Sequence, residues 1–199
     1  MKRLFSNLFV MTVALVTGMA GTALAADGSW TSNLAGNWSV AGKWADGTIA
    51  DGAGATAWFT NNITAARTIT INTNSRTLGV LNIGDADNTH AFTIAANGGA
   101  SLTFTNNGAN AQLNQTATSK GDTISAPLGL SNSLDIANAS ANLLTISGGI
   151  TGTGNLALVA SAAGGITLST VAVNPLGAIT NSGTGSGTVT ISAIIGANV

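Results

Sequence analysis

Seven carboxylates, all Asp, and a single His are the acid–base groups of this chain; it has no Glu and no Cys. Polysaccharide hydrolases and lyases work with paired carboxylates, or with a carboxylate beside Arg or Lys. The groups that could serve here are Asp46, Asp51, Asp85, Asp87, Asp122 and Asp135, with Arg67, Arg76 and Lys120. Lys120-Gly121-Asp122 is the one close acid–base pair among them. The rest do not cluster along the chain, so the spacing assigns no catalytic residue and the chain reads as a non-enzyme. His90 has no Ser-His-Asp or nucleophile-elbow motif around it. It reads as a loop or strand-edge residue after an Asp turn.

Metal and cofactor motifs are equally thin. Asp85-Ala86-Asp87-Asn88 has the look of a calcium loop, but such a loop closes on a Glu at fixed spacing. The Gly-Gly-x-Gly-x-Asp nonapeptide is missing too. The segment therefore reads as a polar turn. Gly152-Thr153-Gly154 and Gly183-Thr184-Gly185 resemble pieces of phosphate loops, yet no Walker Lys or dinucleotide fingerprint follows; they read as corners. The expectation is no metal and no cofactor. Asn37-Trp38-Ser39, Asn62-Ile63-Thr64, Asn114-Gln115-Thr116 and Asn138-Ala139-Ser140 match the N-glycosylation pattern, as chance allows in a chain this rich in Asn and Thr.

Composition sets the frame for these groups. The chain has 199 residues, 45% hydrophobic and 7% charged, with 26 Gly and no Tyr. Mean hydropathy is +0.38, which argues against disorder. Gly has no third-residue period and Pro is scarce, so collagen is excluded. The absence of Cys excludes a disulfide framework and thiolate metal sites. Six scattered Lys and Arg are too few for nucleic-acid binding.

Residues 1–25 read as a secretory signal peptide. Lys2 and Arg3 form the basic start, Leu8 to Ala20 the apolar stretch, and Ala23-Leu24-Ala25 the cleavage site. The apolar stretch is shorter than a membrane span needs, and no later run is long enough. The mature chain is therefore expected to lack a transmembrane segment. Cleavage removes Lys2 and Arg3, leaving four basic residues against seven Asp, a net charge of −3. An exported chain without Cys fits a bacterial extracellular or outer-surface protein.

After Ala26 helix formers are scarce, and short stretches alternate with period two. Examples are Thr68 to Ile71, Phe92 to Ile94, Leu102 to Phe104, Leu143 to Ser147 and Val189 to Ile191. Gly or Asn bounds each of them, which predicts strands joined by turns. The pattern also repeats. Phe92-x-Ile94, Leu134-x-Ile136 and Leu156-x-Leu158 are each followed, seven residues on, by a second triplet at Leu102, Leu144 and Ile166. Weaker copies carry Leu113 with Ile124, and Ile179 with Val189. The offsets predict a unit of about 21 residues, one coil of a parallel β-solenoid. A single coil cannot bury its own apolar row; stacked coils can. An antiparallel β-sandwich is the alternative fold.

All four tryptophans, Trp30, Trp38, Trp44 and Trp58, fall within one short stretch. That composition shift predicts three parts: signal peptide 1–25, a Trp-rich segment 26–60, and coils over 61–199. The Trp segment is expected to cap the open first coil, whose edge would otherwise pair with other chains. The alternative is a glycan-stacking platform built of exposed rings of Trp30, Trp38, Trp44 and Trp58.

Trp30, Gly36-Asn37-Trp38-Ser39, Lys43-Trp44, Gly52 to Ala57, Arg67 to Thr70 and Thr77 to Gly84 together resemble the start of bacterial exported proteins with autotransporter-associated β-strand repeats. Leu144 to Leu156, where a strand runs into a Gly-rich corner, is similar to the repeat itself. The resemblance implies a right-handed parallel β-helix displayed outside the cell, as in autotransporter passengers. Such proteins are usually much longer, and the end at Ile195-Gly196-Ala197-Asn198-Val199 reads as mid-coil truncation. The function that follows is a secreted or cell-surface structural and interaction protein, the stalk of an adhesin. Its partner would be an extracellular glycan or the surface of a host or neighbouring cell, and its exposed last coil would self-associate. A glycan-binding module is the second reading, and a polysaccharide lyase or hydrolase the third.

Overall fold

The computed structural model describes residues 25–199; the signal peptide expected over residues 1–25, apart from Ala25, lies outside the described residues. The chain is an all-β solenoid. Its strands form three sheets, two of seven strands and one of five, and every pairing between strands is parallel. That arrangement excludes the antiparallel sandwich. Each coil makes one pass over the three sheets. In one full coil the strands are Leu134–Asn138 in the first sheet, Leu144–Ile146 in the second and Ile150–Gly152 in the third. Six steps of about 4.8 Å separate the seven strands of the first sheet, so the shaft is about 30 Å long.

The alternation of side chains explains the strands. Leu102, Leu144 and Ile166 point inward and are buried, the Thr after each is half-buried, and Phe104, Ile146 and Leu168 are buried again. The core is one continuous column of Ile, Leu, Phe and Ala from the aromatic end to Leu168 and Val173. β-branched Thr suits the outer positions, where the pleat leaves room for it.

The coil is longer than the sequence pattern predicts. Leu134 pairs with Leu156, 22 residues on, and Leu156 pairs with Ile179, 23 residues on. Earlier coils carry insertions: Arg67 pairs with Phe92, and Val80 with Gln112. The repeat's phase also differs. Phe92–Ala96 lies in the second sheet and Leu102–Phe104 in the third, whereas Leu134–Asn138 and Leu156–Ala160 lie in the first. Two strands separated by a short corner look alike on any side of the solenoid. Alternation therefore finds the strands without fixing their sheet.

Corner chemistry fixes it instead. Gly152 pairs with Leu130 in the third sheet. Its φ is +119°, and a Cβ there would collide with the Leu130 carbonyl, so the chain turns here only with glycine. On the corner between the first and second sheets, Gln115 and Asn138 occupy successive inward positions. Gln115 Nε2 donates to Asn138 Oδ1 at 2.8 Å, and Asn138 Nδ2 donates to the carbonyls of Asn142 and Gly165 at 2.9 and 2.8 Å. These amides give the backbone carbonyls at the bend side-chain donors, and the Gly165 carbonyl also takes the Leu144 N–H.

At the opposite end of the shaft, Ile179, Val189, Ile191 and Ala193 only partly cover the core. No side chain after Asp135 carries a charge. Among the described residues no helix is long and apolar enough to cross a membrane.

Candidate functional site

The aromatic segment supplies a first coil and a lid. Gly28–Ser29 pairs with Ala57 and Trp58, and Gly36–Asn37 pairs with Ile69 and Thr70. Two 3-10 turns, Ala41–Lys43 and Ala45–Gly47, carry the chain back across the end. Beneath them Trp38 and Trp44 pack on Phe59 with centroids 4.9 and 5.3 Å away, and Trp30 meets Trp44 edge-on at 5.4 Å. The three indole N–H groups donate to the carbonyls of Ser32, Ala50 and Trp38. An aromatic ring can be buried this deeply because its polar edge is also satisfied.

Trp30, Trp38 and Trp44 are 1%, 0% and 3% exposed, so their faces belong to the core and have none to offer a sugar. Trp58 differs. It points outward from the strand Thr56–Phe59, is half-buried, and among the described residues its indole N–H makes no hydrogen bond to protein. Outside the ring cluster, Arg76 pairs with Asp51 at 2.9 Å, and Asp51 also accepts the Thr77 N–H at 2.9 Å. This is the one ion pair among the described residues. It ties the lid to the third sheet.

The acidic groups take up separate positions. Asp46 is exposed on a lid turn, and Asp135 lies on the outer face of the first sheet. Lys120 is exposed while Asp122 is buried, so the sequence neighbours make no ion pair. Asp85 and Asp122 are both buried, and near enough for the Asp85 charge to act on Asp122. Burial pushes the Asp122 carboxyl up to about 6, against the Ser119 hydroxyl and the Phe92 N–H, which favour its charge; the Asp85 charge raises it further. Burial also acts to raise Asp85, but the N–H groups of Ile63 and His90, with Asp87 and Thr89, outweigh it and hold the carboxyl at about 2. The two carboxylates fasten the 84–91 loop and the corner before Phe92. Their oxygens face protein donors rather than an open cleft.

His90 lies beside this turn, with Nδ1 2.7 Å from Thr89 Oγ1. Asp87 binds the same hydroxyl, also at 2.7 Å. Among the described residues no group of three or more His, Cys, Asp or Glu could hold a metal ion.

The open concave site lies elsewhere. A groove of about 310 Å³ runs along the first sheet, with Asn110, Ser133, Asp135 and Asn155 along it and the small side chains of Ala157 and Ala178 making room. Only Asp135 of this group stood out in the sequence. The others come together because stacking superposes residues one coil apart, which neighbouring positions in the chain do not disclose. No family model matches the chain, and neither the curated proteins nor the solved structures contain a match to it.

Proposed function

We propose that the chain is an exported structural and interaction protein: a β-helical shaft that serves as the stalk, or the N-terminal part, of an adhesin on a bacterial surface. The observation that supports this reading best is the continuity of the first two sheets, each seven strands long, from the aromatic lid to the last coil. A stack of that kind converts chain length into reach, because each coil needs only its neighbours. Rows of Thr, Asn and Ser face outward and offer hydrogen bonds to an extracellular glycan or to another cell's surface. The leader over residues 1–25 and the resemblance to autotransporter-associated repeats agree with display outside the cell.

Fractionation of a bacterium expressing the full tagged chain tests the proposal. The expected product is exported, begins at Ala26 by mass spectrometry, and confers adhesion on beads that carry it. An uncut chain retained in the cytoplasm would overturn export. Beads that adhere to no matrix protein, glycan surface or cell would overturn the adhesin role.

A further inference from the structure

The first sheet presents one continuous outer face. Parallel register aligns Gln112, Asp135, Ala157 and Thr180 in one row. Trp58, Asn82 and Asn114 align in the row beside it. The groove of about 310 Å³ lies on the first row and on the corner residues just before it. It crosses four coils, one each for Asn110, Ser133, Asn155 and Ala178, or about 15 Å along the axis.

This face carries amides at its middle, with the apolar Val80, Ala137, Ala157 and Val159 on the same two rows. Asn114 Nδ2 donates to Asn82 Oδ1 at 3.1 Å and to Gln112 Oε1 at 3.4 Å. An amide has more donor and acceptor positions than these bonds use, so the ladder can both give and accept at its solvent side. Among the described residues Asp135 accepts only from Asn110 Nδ2, at 3.2 and 3.3 Å, which leaves lone pairs on both carboxylate oxygens. The Trp58 ring is partly open, and its N–H has no protein acceptor among the described residues.

Among the described residues no cation shares the face. Arg67 and Arg76 begin strands of the second and third sheets, Lys43 lies in the lid, and Lys120 is on a corner. Phosphates, sulfates and uronates would therefore meet a lone carboxylate and no counter-charge. A ligand rich in hydroxyls fits instead, since each hydroxyl both donates and accepts and a sugar's C–H face packs on an indole. The coil spacing of about 4.8 Å is close to the length of one pyranose ring. Successive rings of an extended chain would thus meet successive coils.

We propose that this face, from Trp58 to the Asp135 groove, binds a linear neutral oligosaccharide laid along the solenoid axis. One ring stacks on Trp58. Hydroxyls further along donate to Asp135 and exchange hydrogen bonds with Asn82, Asn114 and Asn155. The site does not depend on export or on the stalk role, and either could fail without the other.

The test is calorimetric titration of the full chain with cello-, xylo-, malto- and chito-hexaose, and with hexagalacturonate as the anionic comparison. At least one neutral hexaose is expected to bind saturably, and the galacturonate not to bind. Asp135→Ala and Trp58→Ala should each weaken that binding by at least tenfold, with an unchanged circular dichroism spectrum and a melting temperature lowered by no more than a few degrees. Both side chains point outward, but Asp135→Asn and Trp58→Phe guard against misfolding: the first should keep part of the affinity, and the second more than Trp58→Ala. Absence of saturable binding by every neutral sugar up to millimolar concentration would overturn the proposal. So would tighter binding of the galacturonate, or binding that neither substitution alters.

Discussion

The Asp122 carboxylate accepts the backbone N–H of Phe92 at 2.8 Å, across 30 residues of sequence. One oxygen thereby starts a strand of the preceding coil, while the other binds the Ser119 hydroxyl. The carboxyl occupies a site where both its charge and its burial matter to stability.

Stability should therefore peak in mildly acidic solution. Asp85 is held at about 2 against an ordinary 3.8, so between those values the unfolded chain binds more protons and stability rises with pH. Asp122 is raised from 3.8 to about 6, so in that window the folded chain binds more protons and stability falls as pH rises. The maximum is expected near pH 4. The loss between pH 4 and pH 7 is on the order of 2–3 kcal/mol. Urea melts at pH 3, 4, 5.5 and 7 check the shape. In Asp122→Asn the decline above pH 4 should vanish.

The aromatic lid should carry a large share of stability at its end of the shaft. Trp38→Ala and Phe59→Ala each empty the space between buried rings, at about 3–5 kcal/mol. Trp58→Ala leaves the core intact and should cost about 1 kcal/mol or less. Thermal melts separate the two classes. The emission of the wild type should be blue-shifted, since three of its four indoles are buried, and Trp58→Phe should shift it further to the blue.

Asn138 is the most heavily bonded side chain of the inner corner. Asn138→Ala would strand the buried Ser140 N–H and take one bond each from the Gln115 amide and the carbonyls of Asn142 and Gly165, which keep a second partner. Stranding a buried polar group in this way should cost about 1–3 kcal/mol. Asn114→Ala, on the outer face, should change the midpoint of denaturation little.

The contrast between Asn138 and Asn114 shows what could be read from the residues. Both match the same surface-modification pattern in the sequence, yet one is fully buried and the other faces solvent. Polarity at a corner reads the same whether the side chain turns in or out. The strands were legible because alternation is local: Leu102–Phe104 and Val189–Ile191 stand where the pattern puts them. The role of Trp38 and Trp44 was legible as a concentration of aromatic area. The groove around Asp135 was not, because its residues meet only through a register of 22 to 23 residues. The insertions before Phe92 and Gln112 obscured that register in the early coils.

Prepared as residues 26–199 alone, the chain should self-associate through the coil opposite the lid. Its strands Ile179–Asn181 and Val189–Ile191 each have one unpaired edge, over a partly exposed apolar core and with no charge to repel a partner. Such edges template further strands. Sedimentation should show concentration-dependent association. Ile191→Lys, which puts a charge on the open core, should reduce it. A wild type that sediments as a sharp monomer at high concentration would count against this.

The parallel ladders also govern how the shaft would respond to load. The strands lie across the axis, so tension between its two ends loads the ladders of every coil boundary in series. Yielding would then start at the weakest boundary and release about 70 Å of chain per coil, while coils beyond the break keep their own neighbours. A stalk built this way would resist as a series of small ruptures of similar force. Added coils would lengthen the tether without making it stronger.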